Sequence, residues 1–214
     1  MTVEALPFDD TKARRNAVIL AIAQALYGAV TTAVVVTAGL VGSQLAPDAA
    51  WATLPMSMMI IGTAATTFPI SLMMRRVGRR MGFVICALAG AAGALIGTYA
   101  IFQRSFELFL VGCFLVGVYQ ASASYYRFAA ADTASPSFRP KAISWVMTGG
   151  IIAALIGTVM VMETVDLFAP VSFAGTWAVM AVLSLAGAGI LMAVDISPAR
   201  PHEAPPGRPP QGIP

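Results

Sequence analysis

The sequence predicts an all-α membrane protein that crosses the bilayer six times, and three observations carry that prediction. Hydrophobic residues make up 58% of the 214 positions and charged residues only 11%, with a mean hydropathy of +0.79. A soluble domain carries about a quarter charged residues, so this chain lacks the polar groups to cover a water-facing surface. The apolar residues also fall into six blocks, at 18–41, 51–74, 82–102, 106–130, 142–162 and 171–194. Each is close to the roughly 17–25 residues that a helix needs to span hydrocarbon. Lipid offers the backbone no hydrogen-bond partners, so such segments must be helical. The third observation is where the basic residues sit: they crowd every second connection between blocks.

Taken in order, residues 1–16 mix Glu4, Asp9, Asp10, Lys12, Arg14 and Arg15 and read as a cytoplasmic N-terminal segment. A secretory signal would place a short apolar core after a few basic residues, whereas the first block continues through Thr31, Thr32 and Thr37 to spanning length. Residues 17–195 form the six-span bundle. The second span contains Pro69, which removes an amide donor and should kink the helix. The third carries Gly90, Ala91, Gly93, Ala94 and Gly97, and the fifth Gly149, Gly150, Ala153, Ala154 and Gly157. Small residues let helix backbones approach closely in lipid. Residues 196–214 hold seven prolines and two glycines with no apolar face, so they read as a disordered cytoplasmic tail or central linker. The one histidine, His202, falls in that tail and reads as a solvated residue rather than a ligand.

Lys12, Arg14 and Arg15 precede the first span, and Arg75, Arg76, Arg79 and Arg80 fill the turn after the second. Arg139 and Lys141 precede the fifth, and Arg200 and Arg208 follow the sixth. The alternate connections hold Arg104 and little else basic. Short loops rich in Lys and Arg stay cytoplasmic, which puts both termini inside the cell and the bundle in a bacterial inner membrane. The net charge of +3 is therefore a topology signal, and no nucleic-acid partner is implied. Cys86 and Cys113 lie within spans, not in loops or a CxxC pair, so they read as buried thiols.

The most specific local signal is the run from Ser71 to Arg80. It resembles the major facilitator superfamily, whose loop between helices 2 and 3 typically reads G-x-x-x-D-R-x-G-R-R. Arg76, Gly78, Arg79 and Arg80 match in type and spacing, while Ser71 replaces the family's glycine and Arg75 its aspartate. Gly78 permits the tight turn. The resemblance implies a cytoplasmic gate of Arg76, Gly78, Arg79 and Arg80, with Asp132 placed to pair with Arg76 or Arg79 in place of the missing carboxylate. It also implies one half of a transporter, with six helices arranged as a three-plus-three inverted repeat. Trp145, Gly149, Gly150 and Gly157 loosely resemble the family's glycine-rich helix 5 motif, although Thr158 stands where a proline is expected.

In that family helices 1 and 4 line the central cavity. Gln24, Tyr27 and Thr31 follow i, i+3, i+7 spacing and share one face of the first helix, and Gln120, Ser124 and Arg127 follow i, i+4, i+7 on the fourth. These two polar stripes make a candidate substrate path; interhelical hydrogen bonding that glues the bundle is the competing reading. Arg127, a charge near the end of a span, would face a cavity or snorkel to water. Met56 and Met59 at the start of the second span, and Met160 and Met162 at the end of the fifth, supply thioethers at one level. Thioethers suit cuprous copper but equally fill gaps in packed cores.

The stretch from Tyr125 to Asp132, with Phe138 to Gly150 after it, resembles the bacterial CcoA-like importers, a branch that handles copper or riboflavin. The expectation is a secondary active transporter, here half-length or truncated, that moves a small solute or ion by alternating access. It would work beside a second six-helix half or as a homodimer, in contact with membrane lipid and without a cofactor. The interiors of the first five spans hold no acidic residue, so proton coupling would need Asp132 or the other half. A non-transporting assembly or scaffold subunit is the alternative. No HExxH, no Ser/His/Asp set and no phosphate-binding glycine loop is present, so an enzyme is not expected.

Overall fold

A computed structural model describes residues 10–195, and the architecture below is that of this segment. Seven α-helices follow in order: α1 Asp10–Leu45, α2 Leu54–Val77, α3 Arg79–Gln103, α4 Phe106–Ala123, α5 Tyr126–Asp132, α6 Arg139–Thr164 and α7 Ala174–Leu191. They make six stretches long and apolar enough to cross a membrane, with α4 and α5 forming a single span.

Helix α1 starts at Asp10, two turns before the apolar block, and Ala13 and Asn16 are already buried. The boundary expected at residues 16–17 therefore falls inside a helix whose first turns belong to the bundle. At 1.5 Å per residue α1 is about 54 Å long, well beyond the ~30 Å hydrocarbon core. Pro55 opens α2 at a position where its missing amide costs nothing. Pro69 lies within α2, which continues to Val77.

A single residue, Gly78, separates α2 from α3, with φ of +86°. That is a backbone region open to glycine and strained for any L side chain, so the tight reversal depends on this position. At the opposite end Ser105 caps α4, its hydroxyl accepting from the Leu108 amide at 3.4 Å, with Glu107 in the first turn. Carboxylate and cap both suit a helix N-terminus. That end also carries Asp48, Glu163 and Asp166 beside Arg104, whereas the arginines cluster at the other.

The pairing of helices shows the internal repeat that residue identities do not. Helix α1 packs chiefly on α6, α2 on α4, and α3 on both α4 and α7. Exchanging the first three spans with the last three turns α1 against α6 into α4 against α2, and leaves α3 against α7 unchanged. Both exchanged pairs meet through glycine. A Cβ on Gly149 of α6 would run into the carbonyl of Ala21 on α1, and one on Gly62 of α2 into the carbonyl of Phe114 on α4. Backbone contact this close is how helices associate where lipid tails remove any hydrophobic drive.

Two core clusters stack along the bundle. At the arginine-rich end Leu20, Phe83, Tyr119, Tyr126, Leu191 and Val194 pack together. At the other end Val30, Val41, Met59, Phe109, Trp177 and Met180 do so. Trp177 donates its indole N–H to Thr37 at 3.2 Å, satisfying a polar atom in a fully buried ring. Helices α2 and α6 are the least buried spans, and Phe68, Ile151 and Leu155 turn outward from them.

Candidate functional site

The fourth predicted span is not one continuous helix. It ends as α4 at Ala123, passes Ser124 and Tyr125, and resumes as α5. The cause is local. Ser122 donates its hydroxyl to the Tyr119 carbonyl at 2.9 Å and Ser124 to the Ala121 carbonyl at 2.8 Å. The Tyr125 amide bonds to Ser122 at i−3. Hydroxyls that bond back to helix carbonyls loosen the i−4 ladder and bend the helix, and an i−3 turn tightens it. The single face expected for Gln120, Ser124 and Arg127 is interrupted at its middle residue.

The six path residues accordingly divide. Tyr27 is buried and meets Tyr119 edge-on, with ring centroids 5.2 Å apart. Thr31 and Gln120 are half-buried; Gln120 Oε1 is shielded from solvent with no hydrogen-bond partner among the described residues, and the shielded Thr31 hydroxyl faces that of Tyr27 one turn away. Gln24 leans along α6 beside Gly150. Ser124 and Arg127 are exposed; the Arg127 guanidinium rests 5.0 Å from the Phe128 ring centroid. Of the six, Tyr27 is the one shown in contact across α1 and α4, Thr31 lies beside it on α1, and Ser124 and Arg127 are exposed.

At the arginine-rich turn, Arg79 forms an ion pair with Asp132. It joins the first residue of α3 to the last of α5. Each charge sits at the helix end that its dipole disfavours, so the two relieve one another. Both side chains are nearly half exposed, at 44% and 49%, which limits such a pair to about 0–1 kcal/mol. Arg76 and Arg80 point to the surface.

The sulfur groups do not converge. Met59 is in the core, Met56 and Met160 pack against the same cluster, and Met162 is 72% exposed on the outer face of α6. Cys86 and Cys113 are free, buried and in different clusters. Among the described residues no three of His, Cys, Asp and Glu gather where they could hold a metal; His202 lies outside those residues. A shallow apolar concavity bounded by Leu155, Ile156, Val159 and Met160 lies on α6 and holds none of the path residues.

Two features carry no signal in the linear sequence. Tyr119 and Tyr126 are fully buried with their hydroxyls facing one another, although aromatic residues in a span normally read as core. Asn16, at 1% exposure, bonds to the backbone of Asp195, 179 residues away. Only the fold reveals that partner.

The six-span bundle with exchanged helix pairs is that of a multi-pass membrane protein. Residues 20–213 match the Major Facilitator Superfamily, and the chain belongs to that family. It is 43% identical over 183 residues to the riboflavin transporter RfnT of Brucella anthropi, which covers 86% of this chain and 46% of that protein. It is 25% identical over 188 residues to YdeG of Bacillus subtilis, an uncharacterized MFS-type transporter, covering 86% of this chain and 44% of the relative. The chain thus spans about half the length of the curated relatives it matches. No solved structure matches it with significance.

Proposed function

We propose that this chain is one six-helix half of a non-enzymatic secondary transporter that takes up riboflavin, or a solute of the same flavin chemistry, across the bacterial inner membrane by alternating access. The observation that carries the reading is a buried oxygen without a partner among the described residues, Gln120 Oε1 on α4, together with the Thr31 hydroxyl on α1, shielded from solvent beside Tyr27. A buried polar atom without a partner is costly, and a transporter recovers that cost when a solute or water bonds to it. An isoalloxazine ring carries one imide N–H donor, two carbonyl acceptors and ring-nitrogen acceptors around its edge, and a flat apolar face. Amide and hydroxyl groups beside Tyr27 suit both. A scaffold subunit has no use for such oxygens. Copper is the weaker cargo, because the thioethers scatter between core and lipid face.

The likeness to RfnT supports a flavin over other solutes of similar polarity. The sparse burial of α2 and α6 supports a partner against those two helices, either a second six-helix half or another copy of the chain. Rocking of the two halves around a midplane site would then expose Thr31 and Gln120 to each side in turn. The test is uptake of labelled riboflavin by vesicles or riboflavin-requiring cells that contain the chain with a matching second half. Replacing Gln120 with Leu should raise KM about tenfold, the effect of one lost hydrogen bond to solute. Uptake indifferent to both Gln120→Leu and Thr31→Val would remove this reading.

A further inference from the structure

Asn16 spends its whole side-chain amide on one residue. Its Nδ2 donates to the Asp195 carbonyl at 2.8 Å, and its Oδ1 accepts from the Asp195 amide at 3.1 Å. One residue earlier, Arg15 donates to the Ala193 carbonyl at 3.3 Å. Between those two anchors Val194 is buried to 1% and packs in the cluster that holds Ala13, Ala17 and Leu191. Beyond α7 the amides of Ala193 and Val194 bond at i−3, so the chain leaves the helix in a tightened turn. The last carbonyls of a helix have no partner inside it, and residues 192–195 find theirs partly on α1.

We propose that residues 192–195 form a strap fastened by Asn16, which locks the arginine-rich end of α1 to the end of α7 and sets where the chain leaves the bundle. Asn16 is thereby a positioning residue for α1, the helix that carries Gln24, Tyr27 and Thr31. A carboxamide presents one donor and one acceptor side by side, the match required by the amide and carbonyl of a single residue. Leu would supply neither bond. Asp would supply both when protonated and only the acceptor when ionised. The charged groups on the two elements near the strap are Lys12, Arg14 and Arg15 of α1 and Asp195 beyond α7.

The test is amide hydrogen exchange at Asp195, read on the full chain in lipid nanodiscs and corrected for the intrinsic pH dependence of exchange. In the wild-type chain the Asp195 amide should be protected, and Asn16→Leu should reduce its protection factor at least about tenfold at every pH, the effect of one lost hydrogen bond. Asn16→Asp should keep the Asp195 amide protected above the Asn16→Leu level at pH 5 and pH 8 alike, because the carboxyl accepts from that amide in both its forms. Solute transport is not needed for this readout, so its outcome is separate from that of the uptake assay. Where transport is measured, Asn16→Leu should lower the maximal rate and leave KM unchanged. An unprotected Asp195 amide in the wild-type chain, or protection in Asn16→Leu equal to that of wild type, overturns the strap.

Discussion

Gly78 is the residue on which the arginine-rich turn depends. Its φ of +86° lies where a Cβ is strained, and no neighbouring atom would block one, so the penalty of substitution is conformational alone. Gly78→Ala should destabilise the chain by about 1–2 kcal/mol, measurable as a lower unfolding midpoint in detergent. The Arg79–Asp132 pair beside it is exposed and adds little to stability. Asp132→Asn should leave the midpoint nearly unchanged while lowering uptake, if the pair latches the cytoplasmic mouth. The reciprocal exchange Arg79→Asp with Asp132→Arg should restore uptake, and a double variant as inactive as the single one would assign Asp132 another task. The resemblance of the loop to the family's motif offered Arg76 or Arg79 as the partner of Asp132. The choice of Arg79 rests on α5, a separate short helix whose end faces the start of α3.

At the scale of elements, the break between α4 and α5 coincides with two serines whose hydroxyls bond back to the main chain. Ser122→Ala with Ser124→Ala should therefore let the helix run on. The amides of residues 123–126 should then exchange more slowly, and distances across the break, measured between spin labels, should lengthen. An unchanged exchange pattern would place the cause in tertiary packing instead. The glycine crossings make a second prediction. Gly149→Val and Gly62→Val each push a side chain into a carbonyl of the partner helix, and overpacking of this kind costs about 1–3 kcal/mol. The repeat relates α1 against α6 to α4 against α2, so the two variants should lower the unfolding midpoint by similar amounts. A large effect at one crossing and none at the other would show that the two halves of the repeat do not bear load equally. The sequence displayed the glycines, but not which helices they join.

For the whole molecule, the decisive fact is that α2 and α6 bury little of themselves within the chain, and that the relatives it matches are about twice as long. Vesicles containing this chain alone should bind flavin weakly and not accumulate it. Adding a second six-helix half should restore accumulation, and accumulation by the chain alone would point to pairing between copies. Threading direction has its own check: cysteines placed in the turn between Arg75 and Arg80 should be labelled only from the cytoplasmic side.

What the sequence determined by itself is the membrane as solvent, the number of spans and the turn at Gly78. These follow from the length of apolar runs and from a glycine among arginines, properties a residue carries wherever its neighbours lie. Tertiary structure alone decided which helices pair, where the fourth span breaks, which polar atoms remain unpartnered and that Asn16 holds Asp195. Each of those depends on groups far apart along the chain meeting within hydrogen-bond or van der Waals distance. In a medium that satisfies no polar group, such meetings decide which residues are spent on structure and which remain available to a solute.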